Sequence, residues 1–298
     1  MIVARIKGGL GNQLFIYAAA RGISSKHNIP LKFDTISGSI RDYYQRGKSV
    51  LHHFNVNIET CSHYDSYIGH FGRFRRVINR NISNCFPMKY RIYINESKES
   101  GKIMDEILKN KPIFDVYLDG YWQSEKYFKH IETEIRKEMI ITTQHDAENI
   151  VLAETIRNEN AICVHVRRLH GVGNVENQQP LTTIQSLGMK YYNCAINYMI
   201  KNVKNPVFFF FADCPQWLQD NINISYPGVF VTHNTVSGEA KNYEDLWLMT
   251  QCKHFIIADS TFSWWGAWLC ENTEKIVCAP RQGYRFNQNW IPEDWHVI

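Results

Sequence analysis

From about residue 160 onward the chain repeats one pattern. Short, almost uninterrupted apolar runs (AICVHVRR, PVFFFFAD, GVFVTHN, HFIIAD and KIVCAP) alternate with segments of helical periodicity. A strand that is apolar on both faces needs cover on both, and helices between successive strands supply it. The pattern therefore predicts a parallel sheet sandwiched by helices. The start of the chain reads the same way on a smaller scale. IVARIK is strand-like, GGLGN is a glycine turn, a helix is expected from Gln13 to about Asn28, and LKFD is a second strand after Pro30. FDVYLDGY reads as a further strand, followed by helical runs over about 124–139 and 146–157. From about 37 to 111 the signals are weak, and short helices and loops are expected there.

Composition narrows the class without choosing a function. The 298 residues carry 33 Lys and Arg against 29 Asp and Glu, a net charge of +4, and 44% of them are hydrophobic. Disorder, collagen and coiled coil each require a biased composition and are excluded. The length suits two α/β lobes or one large domain. So small a net charge over this length gives no reason to expect nucleic acid as a partner. The 8 cysteines are scattered, with no C-x-x-C pair of the kind a zinc or redox site uses. Cys163 and Cys278 fall in apolar runs and read as small core residues, which fits a reducing cytosol. No run approaches the roughly 20 apolar residues of a membrane helix, and Arg5 and Lys7 interrupt the first apolar stretch, so a signal peptide is not expected. The expectation is a cytoplasmic protein.

One stretch has its own charge bias. Between Ser66 and Asn95 there is no acidic residue, while Arg73, Arg75, Arg76, Arg80, Lys89 and Arg91 alternate with Phe71, Phe74, Tyr90 and Tyr93. Two readings stand: a solvated basic helix face, or contact with an anionic surface such as lipid headgroups on the inner membrane face or a phosphorylated acceptor.

Ligands of open α/β sheets bind outside the carboxyl ends of the strands. Chemistry is therefore expected at Arg167 and Arg168, Asp213, His233 and Asn234, and residues 259–263. In HVRR, a guanidinium leaving a buried strand can hold a phosphate bidentately; surface ion pairs are the plainer alternative. In ADSTFSWWGAWL, hydroxyls at a helix start make an anion site, an ordinary N-cap by Ser263, or both. Trp264, Trp265 and Trp268 have helical spacing and read as core packing rather than a sugar platform. In GGLGNQLF the glycines allow close backbone approach, and Asn12 and Gln13 stand at a helix start where amides reach a ligand. In FFFFADCPQW, Asp213 reads as a cap for the helix that Pro215 opens, or as a carboxylate for guanine. No Asp-x-Asp, H-E-x-x-H or G-x-S-x-G occurs. A diphosphate here would be neutralised by arginine and helix-end N–H groups.

Taken together, GGLGNQLF, LDGYWQSEKYF, HVRR, FADCPQW and DSTFSWWGAWL, in this order across nearly the whole chain, resemble the inverting α-1,2-fucosyltransferase family. The resemblance implies two Rossmann-like lobes of the GT-B type, with an acceptor-side lobe over 1–150 and the donor lobe over 151–298. It implies transfer of L-fucose from GDP-β-L-fucose to a glycan acceptor, lipid-linked in one reading. It also implies no metal and no other cofactor. Carried over residue by residue, Arg168 looks like the arginine that neutralises the β-phosphate, with His165 and Arg167 lining the same pocket. Gly11, Asn12, Gln13, Asp213, Asp259, Ser260, Thr261, Phe262 and Ser263 complete the implied donor-binding set. The family's usual HVRRGDY is here HVRRLHG, with Leu169 and His170 in place of glycine and aspartate. That departure bears on how the arginines are oriented, and on whether another sugar or linkage, or binding alone, is the outcome. His170 and Glu176 are the candidates for a base toward the acceptor hydroxyl.

Overall fold

The computed structural model describes residues 1–40, 49–96, 100–170, 179–180, 187–222, 225–236, 241–281 and 290–298. The chain divides into two compact units, Met1–Ile140 and Ile141–Ile298. Each is a mixed α/β unit built on a parallel sheet, the class the alternating pattern predicts.

In the first unit, strand β1 (Ile2–Arg5) leads through the glycine turn into helix α1 (Leu10–His27) and strand β2 (Leu31–Asp34). The helix is buried along most of its length because it fills the space over the sheet, and Asn28 closes it in a left-handed conformation (φ 49°). Gly22 lies where the segment 125–131 crosses the helix. A Cβ there would stand 2.1 Å from the Tyr127 carbonyl oxygen, so only glycine fits. Helix α2 (Gly69–Ser83), strand β3 (Tyr93–Asn95), helix α3 (Ser100–Lys109) and strand β4 (Val116–Asp119) follow. The sheet runs β2-β1-β4-β3, all parallel. The described residues of the region 37–111 thus hold more regular structure than their weak signals suggested. A three-residue strand is too short to show a period, and α2 buries only Gly72 and Ser83, so its pattern does not report a core. Two 3₁₀ turns, Glu125–Tyr127 and Lys129–Ile131, and helix α4 (Glu132–Glu138) complete the unit where one continuous helical run was expected.

In the second unit, helix α5 (Ala147–Asn158) leads into strand β5 (Asn160–Val166). A short antiparallel pair follows, β6 (Leu169–His170) with β7 (Gln179–Pro180). Then come helix α6 (Met189–Asn202), strand β8 (Pro206–Ala212), helix α7 (Pro215–Asn221), strand β9 (Gly228–Val231) and helices α8 (His233–Val236) and α9 (Asn242–Thr250). Strand β10 (His254–Ile256), helix α10 (Thr261–Leu269) and strands β11 (Val277–Ala279) and β12 (His296–Val297) end the unit. The main sheet runs β12-β11-β10-β5-β8-β9, all parallel.

The near-continuous apolar strands follow from this topology. Ile162, Val164, Val166, Phe208, Phe210 and Ala212 form one cluster with Tyr192, Ala195, Ile196 and Met199 of α6. The alternating residues Ala161, Cys163, Phe209 and Phe211 point to the opposite face and are also buried. Each fully buried phenylalanine contributes roughly 1.5–3 kcal/mol of transfer free energy, which makes β5 and β8 the axis of the unit.

Candidate functional site

The register between β5 and β8 places the site. Val166 lies beside Ala212 at the ends of the two strands, so Arg167, Arg168 and Asp213 leave the sheet together. Asp213 Oδ1 accepts the backbone N–H of Arg168 at 2.7 Å, and Oδ2 pairs with Arg167 Nε at 3.1 Å. The Arg168 guanidinium lies over the Trp217 ring, 4.4 Å from its centroid. One carboxylate and one indole thus set the geometry of both arginines. Helix α7 is capped not by Asp213 but at Cys214, and without a side-chain hydrogen bond. The carboxylate lies one residue too early for the cap and is held by the arginines.

His165 lies one residue before the strand end and is buried. Its Nδ1 has no hydrogen-bond partner among the described residues. Burial, reinforced by the Arg167 charge, lowers its pKa to about 3, so the imidazole stays neutral near pH 7. Its ring approaches that of Phe262, centroids 5.5 Å apart. Phe262 opens α10 beside Ser260, whose Oγ accepts the Phe262 N–H at 3.3 Å. Ser260, not Ser263, is therefore the N-cap. Ser263 is fully buried and donates back to the carbonyls of Ser260 (3.1 Å) and Ala258 (3.2 Å), tightening the turn. Asp259 and Thr261 are buried in the same turn. Trp264, Trp265 and Trp268 are buried and pack together, Trp264 stacked on Trp268 and Trp265 edge-on to both, as core residues should.

His233 and Asn234, also expected at the ligand edge, belong to a polar network that sequence reasoning missed. His233 Nε2 meets Asn149 Oδ1 at 2.6 Å. The Asn149 amide donates to Asn234 Oδ1 at 3.0 Å, and the Asn234 amide donates to Asp245 Oδ1 at 2.8 Å. Burial raises the Asp245 pKa to about 7; the Asn234 hydrogen bond opposes this and Glu244 adds to it. Glu244 is fully buried and accepts from the Asp146 backbone N–H at 3.0 Å, with His145 Nδ1 2.8 Å away. The signal for this network is the Glu-Asp pair in the first turn of α9, which resembles ordinary helix-start acids.

In the first unit the glycine turn is held from within. Gly8 adopts φ 76°, a conformation that favours glycine. Gln13 is buried, donates Nε2–H to the Gly8 carbonyl at 2.8 Å, and accepts the Val50 N–H at 3.0 Å. Its amide thus fixes the turn. Asn12 Oδ1 accepts from Gln123 at 2.8 Å, joining GGLGNQLF to LDGYWQSEKYF, and Gly11 is buried in the first turn of α1.

At the carboxyl edge of the same sheet, buried Asp119 accepts from Lys7 Nζ (2.7 Å), Arg5 Nη1 (3.2 Å), Tyr93 Oη (2.5 Å) and Arg76. Burial pushes the Asp119 carboxyl up, but Lys7, Arg76 and Arg5 outweigh it and hold it well below the usual carboxylate range. Arg76 thus leaves the surface basic run and serves the core. Glu96 accepts the Tyr121 and Trp122 N–H groups at 2.6 and 2.8 Å, and burial raises its pKa. His170 lies in β6 with its backbone opposite Gln179, and Glu176 falls outside the described residues. Among the described residues, no group of three or more His, Cys, Asp or Glu is placed to hold a metal ion.

Comparison with known proteins gives this geometry a context. The sequence model of glycosyl transferase family 11 matches residues 1–293. The α-1,2-colitosyltransferase of Escherichia coli is 31% identical over 306 residues, covering 99% of this chain and 98% of that protein. The galactoside α-(1,2)-fucosyltransferase 2 of Sus scrofa is 27% identical over 171 residues, 56% of this chain and 49% of that protein. Among solved structures, the α-1,6-fucosyltransferase NodZ soaked with GDP-fucose superposes with a TM-score of 0.51. It is 16% identical, covering 90% of this chain and 91% of NodZ, and this likeness shows the fold alone.

Proposed function

This chain belongs to glycosyl transferase family 11, and from that premise we propose that it transfers L-fucose from GDP-β-L-fucose to the 2-hydroxyl of a galactose residue. The product is an α-1,2 linkage in a surface glycan, formed with inversion. The observation that carries this reading is the arginine pair held by Asp213 at the strand ends, next to the hydroxyl turn of α10.

In this reading the acceptor oxygen attacks the anomeric carbon while the bond from that carbon to the GDP oxygen breaks. The electron pair leaves on the diphosphate, and the hydroxyl proton passes to a base, for which His170 and Glu176 are the candidates. Arg168 meets the charge growing on the β-phosphate, and Arg167 supports it from the same carboxylate. Preorganised cations of this kind are usually the largest single catalytic contribution, because they need no reorganisation as charge develops. Neutral His165 and Phe262 line the donor pocket without adding a charge. We read the reaction as independent of metal, with arginine in the role a divalent cation takes elsewhere; unchanged turnover in EDTA is the expected check.

A second reading follows from the 31% identity to an α-1,2-colitosyltransferase over nearly the full length. Colitose is L-fucose without its 3-hydroxyl, so one polar contact to the donor decides between the two sugars. Transfer assays with GDP-fucose and GDP-colitose, each with a panel of galactose-ended acceptors and read by mass spectrometry, separate the readings. Efficient use of GDP-fucose supports the first, and preference for GDP-colitose the second.

A further inference from the structure

Helix α2 leaves its apolar face uncovered. Phe71, Phe74, Ile78 and Ile82 recur at i, i+3, i+7 and i+11, which places them on one side of the helix. Phe71 is 72% exposed, Phe74 64% and Ile82 51%, and Phe86 continues the stripe beyond the helix. The buried contacts lie on another side: Gly72 and Ser83 are covered, Asn79 donates to Tyr67 Oη, and Arg76 turns inward to Asp119. A soluble surface seldom shows a continuous stripe of large apolar residues unless something covers it.

The charge around the stripe identifies the cover. No acidic residue occurs from Ser66 to Asn95. Arg73 and Arg80 have no ion-pair partner among the described residues, and exposed Lys89 lies just beyond the helix. Beside the helix end lies a groove of about 580 Å³ whose described lining carries Arg80, Arg91 and Lys102 against one carboxylate, Glu106, so the charge of that lining is positive. We propose that α2 and this groove form a docking surface for an anionic phospholipid bilayer. The phenylalanines and isoleucines enter the acyl boundary, while Arg73, Arg80, Lys89 and Arg91 meet the lipid phosphates. A second copy of the chain fits less well. A two-fold interface would set this basic patch against itself, and like charges brought together oppose association.

The test is co-sedimentation of the full chain with vesicles of phosphatidylcholine alone, or with about a third phosphatidylglycerol. Binding to the anionic vesicles, weakened by salt, is expected, with little binding to the neutral ones. Replacing Phe71 and Phe74 by serine lowers the partition constant by roughly tenfold or more. Reversing Arg73 and Arg80 to glutamate lowers it by about 25-fold or more. Ile82→Ser with Phe86→Ser gives an independent pair should either double variant fail to fold. Transfer to a soluble acceptor is unaffected by these changes, which separates this surface from the transfer site. The proposal is overturned by failure to bind anionic vesicles, by binding that ignores salt or all the variants, or by equal binding to neutral vesicles. A dimer broken by Phe71→Ser and Phe74→Ser, without vesicle binding, overturns it as well.

Discussion

Asp213 and Arg168 are joined through the backbone: the Arg168 N–H donates to Asp213 Oδ1 at 2.7 Å, while Oδ2 of the same carboxylate pairs with Arg167 at 3.1 Å. In this chain the carboxylate that orients the arginine pair therefore comes from the end of β8. The pair is thus anchored with His170 standing where the family resemblance led to the expectation of an aspartate. Asp213→Asn keeps an acceptor oxygen but loses the negative charge that pairs with Arg167. Because a displacement of about 1 Å at a reacting centre can cost 10²-fold, turnover is expected to fall by up to about that factor. Steady-state kinetics should show the loss in kcat, with the acceptor KM little changed.

Arg168→Ala removes the cation assigned to the leaving diphosphate. Turnover should drop by about two orders of magnitude or more. Arg168→Lys should recover only part of this, because a lysine cannot stack flat on Trp217 or bind a phosphate through a planar fork. Rates for both variants at saturating donor check the ranking.

His165 predicts a pH dependence of stability. Its folded pKa of about 3 lies below the ordinary value of 6.5, so below pH 6.5 the unfolded chain binds a proton that the folded chain refuses. The stability contribution is complete above pH 6.5 and is lost as the pH falls toward 3, by about 2 kcal/mol at pH 5. Urea titrations at pH 7 and pH 5 should show a steeper loss in the parent protein than in His165→Gln.

Asp119 predicts both a stability loss and an acid effect. Asp119→Asn leaves Lys7, Arg5 and Arg76 crowded around a neutral amide, and removing one member of a buried charge cluster costs roughly 3–5 kcal/mol. Because its folded pKa is depressed, the Asp119 contribution is present above about pH 4, the unfolded carboxylate value, and disappears as the pH falls below it. Thermal melts from pH 7 to pH 3 should show this acid-linked component in the parent and not in the variant.

How much was legible in the sequence depended on whether a residue's role is local. Strands β5 and β8 were readable because burial on both faces writes a continuous apolar run into the chain. The burial of the tryptophans in α10 was readable from helical spacing. Ser263 reads as the cap of α10 from its place just before the tryptophans, but the extended backbone and the side-chain hydrogen bond put the cap at Ser260, a distinction the local sequence does not encode. The grip of Asp213 on the arginines depends on the pairing of Val166 with Ala212, a register that no local pattern encodes. The Asp119 cluster draws Arg5 and Lys7 from the first strand region and Arg76 from α2, residues distant in sequence. Strand β3 escaped because its three residues are too few to reveal a period.

The most direct test of the central claim is the structure of the product. The purified chain, GDP-β-L-fucose and a β-galactoside acceptor should yield GDP and a disaccharide whose NMR spectrum shows fucose α-linked to O2 of galactose. Arg168→Ala should make that product at least about a hundredfold more slowly. A β-linked product, attachment at another hydroxyl, or undiminished transfer by Arg168→Ala would contradict the account.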